Sequence, residues 1–141
     1  MTPRQTVIRV TTFGPGLYEF TEQAQAFVAK AACDIGLLTV FVQHTSCSLL
    51  IQENADPDVC EDLDAFFARL VPRADTPSMS FLTHTLEGAD DMPAHIKAAL
   101  TQTSLSIPVS ESHVMLGTWQ GIYLFEHRDR RHKRRIVLQL S

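Results

Sequence analysis

The fold is decided by one stretch of the chain, Leu37-Leu-Thr-Val-Phe-Val-Gln-His-Thr-Ser-Cys-Ser-Leu-Leu-Ile-Gln-Glu53. Leu37 to Gln43 is rich in β-branched and aromatic residues and is apolar on both faces, which predicts a central strand. Ser46 to Glu53 is predicted to be a second strand, and a turn at His44-Thr45 could pair it with the first. The remaining elements are placed around these two strands.

The residues before this stretch predict two strands and a helix. Gln5 to Thr11 alternates in polarity, and Leu17 to Phe20 follows a Gly-Pro-Gly turn. Thr21 is predicted to cap a helix whose apolar residues recur at three- and four-residue spacing. Gly36 is predicted to end that helix.

The residues after this stretch predict a mixed α+β fold. Asp56-Pro57 provides an N-cap followed by proline at the first helical position, and the helix it opens should end before Pro72. A second, short helix is predicted from Pro93 to Leu100. Strand character returns in three segments, Ser104 to Val109, Trp119 to His127 and Arg134 to Leu140. Because strands and helices do not alternate regularly, we expect one domain over residues 1–141, a largely antiparallel sheet with helices packed on it.

Composition excludes several classes of protein. An apolar fraction of 45% and a charged fraction of 20% are typical of a soluble globular protein, and a net charge of −4 argues against one that coats nucleic acid. The longest apolar run, Ile35 to Val42, is too short to span a bilayer, and no signal peptide is visible. Three cysteines without a C-x-x-C pair predict reduced thiols and a cytoplasmic location.

The segment from His84 to Lys97 is the strongest candidate for chemistry. Its fourteen residues hold two histidines, three carboxylates and a lysine. Imidazoles and carboxylates bind divalent metals and transfer protons near neutral pH. His84 and His95 could converge on a metal with Asp90, Asp91 or His44, although a single histidine is more often structural than a ligand.

Three other polar residues end apolar stripes. His44, Glu53 and Glu126 each share a strand face with apolar residues two and four positions away. Taken singly, each could be a strand-end residue that points into water. Taken with the polar segment they favour a shared pocket, because a buried charge needs a partner. We therefore predict that one cavity is surrounded by His44, Glu53, His84, Asp91, His95 and Glu126.

Two further segments have an ordinary explanation beside a functional one. The loop from Gly117 through Thr118, Trp119 and Gln120 to Gly121 could hold an anion or line a ligand pocket, or it could be a tight loop with a packed indole. His127 to Arg135 holds six of the twelve lysines and arginines and carries +5, against −9 for the rest. It could bind phosphates or nucleic acid, but such a run is more often a solvated hairpin turn.

Four blocks of the sequence occur in this order: Gln43-His-Thr-Ser-Cys-Ser-Leu49, Gln52-Glu-Asn-Ala-Asp-Pro57, His84 with Glu87-Gly-Ala-Asp-Asp-Met-Pro-Ala-His-Ile-Lys97, and Leu116-Gly-Thr-Trp-Gln-Gly-Ile-Tyr-Leu-Phe-Glu126. They carry a resemblance to the YjbQ family, whose members are described as secondary thiamine-phosphate synthases, and the resemblance covers essentially the whole chain.

The resemblance implies an α+β sandwich that assembles as a homotrimer, with the motif residues in a polar cleft near the subunit boundary. The implied reaction joins a pyrimidine methyl pyrophosphate to a thiazole phosphate and releases pyrophosphate, as a side activity. It needs an anion site and a divalent metal, Mg²⁺ or Zn²⁺. The expected metal ligands are His84, His95, Asp91 and Glu53. The expected catalytic groups are His44, His84, His95 and Glu126. The small-molecule phosphate substrate should be held by Lys97, Gly117, Thr118, Trp119 and Gln120, with an arginine of the basic segment.

Two alternatives from other classes stay open. One is a metal-dependent hydrolase, in which the histidines and carboxylates bind Zn²⁺ and activate water. The other is a non-catalytic trimer that binds anions or nucleic acid through the basic segment.

Overall fold

The fold is known from a computed structural model that describes residues 4–141. Residues 1–3, which belong to the predicted domain range of 1–141, lie outside the described residues. Within the described range the elements in chain order are β1 (Arg4–Phe13), β2 (Gly16–Glu19), α1 (Thr21–Ala31), β3 (Ile35–Val42), β4 (Cys47–Glu53), α2 (Pro57–Leu70), a 3-10 turn (Pro77–Met79), α3 (Asp91–Leu100), β5 (Ser104–Ser110), β6 (His113–Val114), β7 (Gln120–Glu126) and β8 (Arg131–Leu140).

The strands form two antiparallel sheets that share a core. Sheet A has the order β1-β8-β3-β5-β6, and sheet B has the order β2-β7-β4. Leu38 and Ile136 of sheet A and Leu49 and Leu124 of sheet B belong to one buried apolar cluster, which the buried residues of α1 extend. The predicted α+β fold, a largely antiparallel sandwich with packed helices, is confirmed.

The predicted pairing of the two central strands is wrong. β3 pairs with β5 and β8, whereas β4 pairs with β7, so residues 43–46 cross from sheet A to sheet B. The His44-Thr45 step lacks the Asn-Gly or Asp-Gly chemistry that closes a two-residue hairpin. The local pattern therefore identified both strands but not their partners, which lie far away along the chain.

Both predicted boundaries of α1 are also wrong. The N-cap residue is Phe20, and Thr21 lies inside the helix, where its hydroxyl donates to Glu19 and accepts from the Ile122 amide. The helix ends at Ala31, four residues before β3 begins. Gly36 lies in β3, where a Cβ atom would stand 2.7 Å from the Cys33 sulfur. A glycine is needed at this position for close packing and does not end the helix.

The two later helices follow their predicted signals more closely. α2 starts at Pro57, and the Asp56 carboxylate accepts a hydrogen bond from the Asp58 amide at 2.9 Å. α3 starts at Asp91, two residues before the proline that was expected to open it. Asp91 and His95 are consequently one helical turn apart on one face of α3.

The basic segment is largely strand rather than turn. β8 begins at Arg131, three residues earlier than expected, and only residues 127–130 connect it to β7. Alternation along β8 buries Arg134 on the same face as Ile136 and leaves Arg135 exposed. None of the helices in residues 4–141 has the length and apolar character needed to cross a membrane.

Candidate metal centre

Two histidines and one aspartate meet at the start of α3. His84 Nε2 lies 2.7 Å from Asp91 Oδ2, and His95 Nε2 lies 3.2 Å from the same oxygen. One ligand atom from each of the three residues lies within 4.8 Å of the others. Asp91 is only 2% exposed, whereas His84 lies at the surface, so the cluster faces solvent on one side. Two imidazoles and a carboxylate are ligand types that zinc takes in proteins.

The orientation of His95 is set by a backbone carbonyl. Its Nδ1 lies 2.9 Å from the carbonyl oxygen of Thr45. A carbonyl only accepts hydrogen bonds, so Nδ1 carries the proton, and in the neutral ring Nε2 presents a lone pair. That lone pair faces the Asp91 carboxylate oxygen. Two acceptors at hydrogen-bond distance need a proton or a metal ion near them, and a backbone carbonyl on the remote nitrogen is the usual support of a metal-binding histidine.

The other oxygen of Asp91 is held by an arginine. Arg128 donates from Nη1 to Asp91 Oδ1 at 2.7 Å and from Nε to Asp90 Oδ2 at 2.8 Å. Burial alone would raise the pKa of Asp91, but the hydrogen bond from His84, the charge of Arg128 and the contacts with His95 lower it overall. Asp91 therefore stays ionised, and its Oδ2 atom faces both histidines. Asp90 also accepts from the Asp129 amide, so it fixes the β7–β8 connection rather than joining the cluster.

Glu126, predicted to be catalytic, is a structural carboxylate. It is fully buried and accepts from Arg134 Nε and Thr12 Oγ1 at 2.7 and 2.6 Å. The backbone amides of His127 and Arg128 donate to its second oxygen. Burial would raise the pKa of Glu126, but the hydrogen bonds from Arg134 and Thr12 outweigh it and hold the pKa below its usual range. With both oxygens satisfied, Glu126 is in no position to exchange protons with a substrate.

His44 lies beside the cluster without joining it. Its Nε2 accepts a hydrogen bond from the Arg135 amide at 2.8 Å, so that nitrogen is not available to a metal. Burial, followed by the nearby Arg134 charge, lowers the pKa of His44, and the ring is neutral. A cavity of about 260 Å³ has both His44 and His95 in its wall. The structure therefore brings these two predicted residues together, with His44 as a neutral wall residue.

Glu53 and the glycine-flanked loop lie elsewhere. In the β4–β7 ladder Cys47 is opposite Glu126, whereas Glu53 is opposite Gln120. Six residues of strand separate these ends, a distance of about 20 Å. The prediction of one cavity for all six polar residues is thus wrong for Glu53. Gly117, Thr118, Trp119 and Gln120 are exposed at the Glu53 end, where Gln120 closes the loop through the Gly117 amide.

Lys97 also points away from the cluster. Two residues along a helix turn the side chain by about 200°, so Lys97 and His95 project from opposite sides of α3. Lys97 enters a separate cavity beside Asp64 and His127. The phosphate-binding role predicted for Lys97 therefore has no support from proximity to His84 and His95.

Three contributors to the site were not predicted. Arg128 lies in the basic segment, where a run of positive residues does not show which one makes a specific contact. Thr45 acts through its carbonyl oxygen, which no side-chain pattern reports. Arg134 could have been found, because it precedes Ile136, Leu138 and Leu140 at strand spacing on the buried face.

Comparison with known proteins identifies the family. The family described as UPF0047 protein YjbQ-like matches residues 6–141. The chain belongs to the YjbQ family. It is 49% identical over 137 residues to a UPF0047 protein of Synechocystis, covering 97% of this chain and 90% of that one. It is also 49% identical over 108 residues to the UPF0047 protein YjbQ of Escherichia coli O157:H7, covering 77% and 75% of the two chains.

Solved structures agree with the fold of this YjbQ-family chain. A crystal structure of an uncharacterised YjbQ/UPF0047 protein from Clostridium acetobutylicum superposes with a TM-score of 0.84 at 28% identity, covering 96% of this chain and 99% of that one. A conserved hypothetical protein from Thermus thermophilus gives 0.79 at 32% identity, with 94% and 97% covered. These names state the family and no reaction.

Proposed function

We propose that this YjbQ-family protein is a metal-dependent enzyme that acts on a small phosphorylated molecule at the cluster of His84, Asp91 and His95. The observation that carries the proposal is the orientation of His95, whose Nδ1 is fixed on the Thr45 carbonyl while Nε2 faces the Asp91 carboxylate. With Nδ1 on the Thr45 carbonyl, the ring turns Nε2 toward the carboxylate, which is the orientation of a metal-binding histidine.

The donor atoms favour zinc over magnesium. Two imidazole nitrogens and one carboxylate oxygen form the three-ligand set of catalytic zinc sites, which keep a further position for water or substrate. Magnesium prefers oxygen ligands alone. When bound, the ion would supply Lewis-acid charge to a phosphate oxygen. Substrate would approach from the exposed side, where His84 lies at the surface.

The protein's own residues fix the orientation of the cluster. Arg128 bridges Asp90 and Asp91 and fixes the carboxylate that faces both histidines. The Thr45 carbonyl holds the proton of His95 on Nδ1. The buried pair of Arg134 and Glu126 anchors Ser46, which follows Thr45, because Arg134 also donates to Ser46 Oγ at 3.0 Å. The crossing segment between the sheets is thereby held in place.

The specific reaction that we propose is the one implied by the resemblance. The bond from the pyrimidine methylene carbon to pyrophosphate breaks, a bond from that carbon to the thiazole nitrogen forms, and pyrophosphate leaves with the bonding electrons. The departing group needs its charge neutralised. The test is to measure the metal content of the purified protein and then pyrophosphate release with both substrates. Release that requires the thiazole phosphate, and that stops on chelation, would support the synthase.

Hydrolysis is the second candidate, and one observation favours it. The cluster opens to solvent through His84. Among residues 4–141 the cation bonded to the cluster is Arg128, and it is already paired with Asp90 and Asp91. A reaction that needs only water and one phosphate ester makes fewer demands on such a site. Phosphate release from simple monoesters, at equal rates with or without the thiazole phosphate, would select hydrolysis over the synthase.

A nucleic-acid-binding module has less support. Arg134 is buried against Glu126 and cannot reach a phosphate backbone. The basic segment also has exposed cations. Salt-sensitive binding of nucleic acid that is retained in His84→Ala and lost in Arg130→Ala would support this function.

We propose a homotrimer as the working assembly. The outer face of β3 exposes Ile35, Leu37 and Phe41, and Ile35 is 80% exposed in the single chain. Burial of such a face between subunits would remove apolar surface from water. Light scattering at micromolar concentration should show three chains, and a particle of only 15.8 kDa would contradict the proposal.

A further inference from the structure

A second cavity lies on the opposite side of α3 from the metal cluster. It has a volume of about 210 Å³, is partly open to solvent and is lined by α2, α3, the turn between β1 and β2, and the β7–β8 connection. Pro15, Ala68, Val71 and Pro93 provide its apolar wall. Its polar wall consists of Asp64, Arg73, Asp90, Lys97, His127 and Asp129.

Three polar groups of this wall lack a hydrogen-bond partner among residues 4–141. The Nδ1 atom of His127 is buried and unpaired, since the ring uses Nε2 on Ser48 Oγ at 2.9 Å. Lys97 and Asp64 influence each other only through charge, and no hydrogen bond or ion pair joins them. A buried polar atom without a partner is costly, so the His127 Nδ1 atom, with the half-buried Lys97 and Asp64 beside it, favours a polar occupant.

The charges of the wall define the occupant. Asp90 is already paired with Arg128, and Asp129 with Arg73. Lys97 and Asp64 remain, one cation and one anion without partners. A phosphate would face three carboxylates, and a simple amine would face Lys97 and Arg73. A neutral molecule with separated positive and negative ends satisfies both unpaired charges.

We propose that this cavity binds a small α-amino acid as its zwitterion. The carboxylate lies between the Lys97 ammonium and the Nδ1–H of His127, and the ammonium group lies on Asp64. A short apolar side chain packs on Ala68, Val71 and Pro93. The cavity volume of about 210 Å³ equals that of about seven water molecules in the liquid, which is enough for alanine or valine. This site is independent of the reaction at the metal cluster.

The test uses the full chain and NMR titration with alanine, valine, propionate, propylamine and inorganic phosphate. Alanine or valine should shift the backbone signals of Ser48, His127 and Lys97, and propionate and propylamine should bind at least tenfold more weakly. Lys97→Met and Asp64→Asn should each weaken amino-acid binding at least tenfold. Lys133→Met, at an exposed site in β8, is the matched control and should bind normally.

The metal content of each variant separates this proposal from the function of the cluster, because Lys97→Met and Asp64→Asn should keep their metal. A thermal melt verifies that each is folded, and Lys97→Gln and Asp64→Ala serve as replacements if one is not. The proposal is overturned if no amino acid shifts these signals, if Lys97→Met binds as tightly as the native protein, or if propionate or phosphate binds as tightly as alanine.

Discussion

Both ends of sheet B carry sequence blocks that resemble the YjbQ family, but their polar groups differ in burial and in hydrogen-bond partners. At the Cys47–Glu126 end, side chains from distant segments are buried and bonded to one another, as Arg134 is to Glu126 and Arg128 is to Asp91. At the Glu53–Gln120 end, the loop is exposed and Gln120 bonds to its own loop. Both ends had been assigned to one site by their sequence.

The contrast shows that an unpaired polar atom is informative only where its surroundings are buried. Burial forces nearly every polar atom at the first end to find a partner, so the exceptions become conspicuous: the buried His127 Nδ1 atom and the partly exposed rings of His84 and His95. At the exposed end water satisfies any polar atom, and an unpaired group carries no information. Whether a second subunit covers that end decides how far the contrast holds.

The largest effect is expected at the buried ion pair. Arg134→Met leaves the Glu126 carboxylate charged and without its main partner, which should lower the free energy of unfolding by about 3–5 kcal/mol. Arg135→Met, one residue along and exposed, is the control and should change it little. Urea unfolding measures both. If the two variants unfold at the same urea concentration, the buried end is not held by this pair.

The second effect compares the proposed metal site with the Glu53–Gln120 end of sheet B. His84→Ala and His95→Ala should lose bound metal and lower turnover by about 10²-fold or more, with folding retained. Glu53→Gln should keep both metal and turnover. Metal analysis and initial rates provide the measurement. A loss in Glu53→Gln equal to that in His95→Ala would show that a partner subunit brings the two ends together, and the contrast would then describe only the isolated chain.

The third effect is a pH dependence of stability that comes from the buried end. Burial, and then the charge of Lys97, lowers the pKa of His127 to about 3, whereas an unfolded histidine titrates near 6.5. Between these values the unfolded chain binds a proton that the folded chain does not, so stability falls as pH falls.

From pH 7 to pH 5 the native protein should therefore lose about 2 kcal/mol more stability than His127→Gln does. Urea unfolding at the two pH values measures this difference. The lowered pKa of Glu126 acts in a lower window, since its contribution is present above the carboxyl pKa of the unfolded chain and is lost only as pH falls through the folded value. Equal losses in native protein and variant would show that His127 takes up its proton while folded.

The smallest effect is expected at the exposed loop. Trp119 is 63% exposed, so Trp119→Ala should change the stability of the single chain by less than about 0.5 kcal/mol. Gly121→Ala is a useful contrast. Its Cβ would lie 2.6 Å from a Glu19 oxygen, which can move, but also 3.0 Å from the Asn54 Cβ and 3.1 Å from the Tyr123 ring, so the substitution should destabilise the chain. Thermal unfolding with light scattering measures both. A large loss in Trp119→Ala, with dissociation of an oligomer, would mean that the indole is an interface residue.

Element identity was predictable from the sequence, but strand partnership was not. Polarity alternation located the strands, and Asp56-Pro57 located the start of α2, because these signals act within one turn or one strand. The separation of β3 and β4 into two sheets depends on β5, β7 and β8, which compete for the same edges from far along the chain. No local pattern records that competition.

The candidate site divides in the same way. The polar segment predicts that His84, Asp91 and His95 lie together. The predicted helix start at Pro93 leaves Asp91 outside α3, however, so its position one turn before His95 was not predicted. The support from the Thr45 carbonyl depends on a backbone atom that becomes available where the chain crosses between sheets. The displacement of Glu53 follows from register, since the same strand that places Cys47 beside Glu126 must place its other end far away.

The position of β8 in sheet A has a consequence for synthesis on the ribosome. β1, made first, pairs only with β8 among the described strands, and β8 covers residues 131–140. Until those residues emerge, β1 has an unpaired edge, and so does the side of β3 that β8 will occupy. Such late pairing between distant segments slows folding and leaves nascent strands open to aggregation. Sheet A therefore cannot close before residues 131–140 have left the ribosome, because both β1 and β3 pair with them.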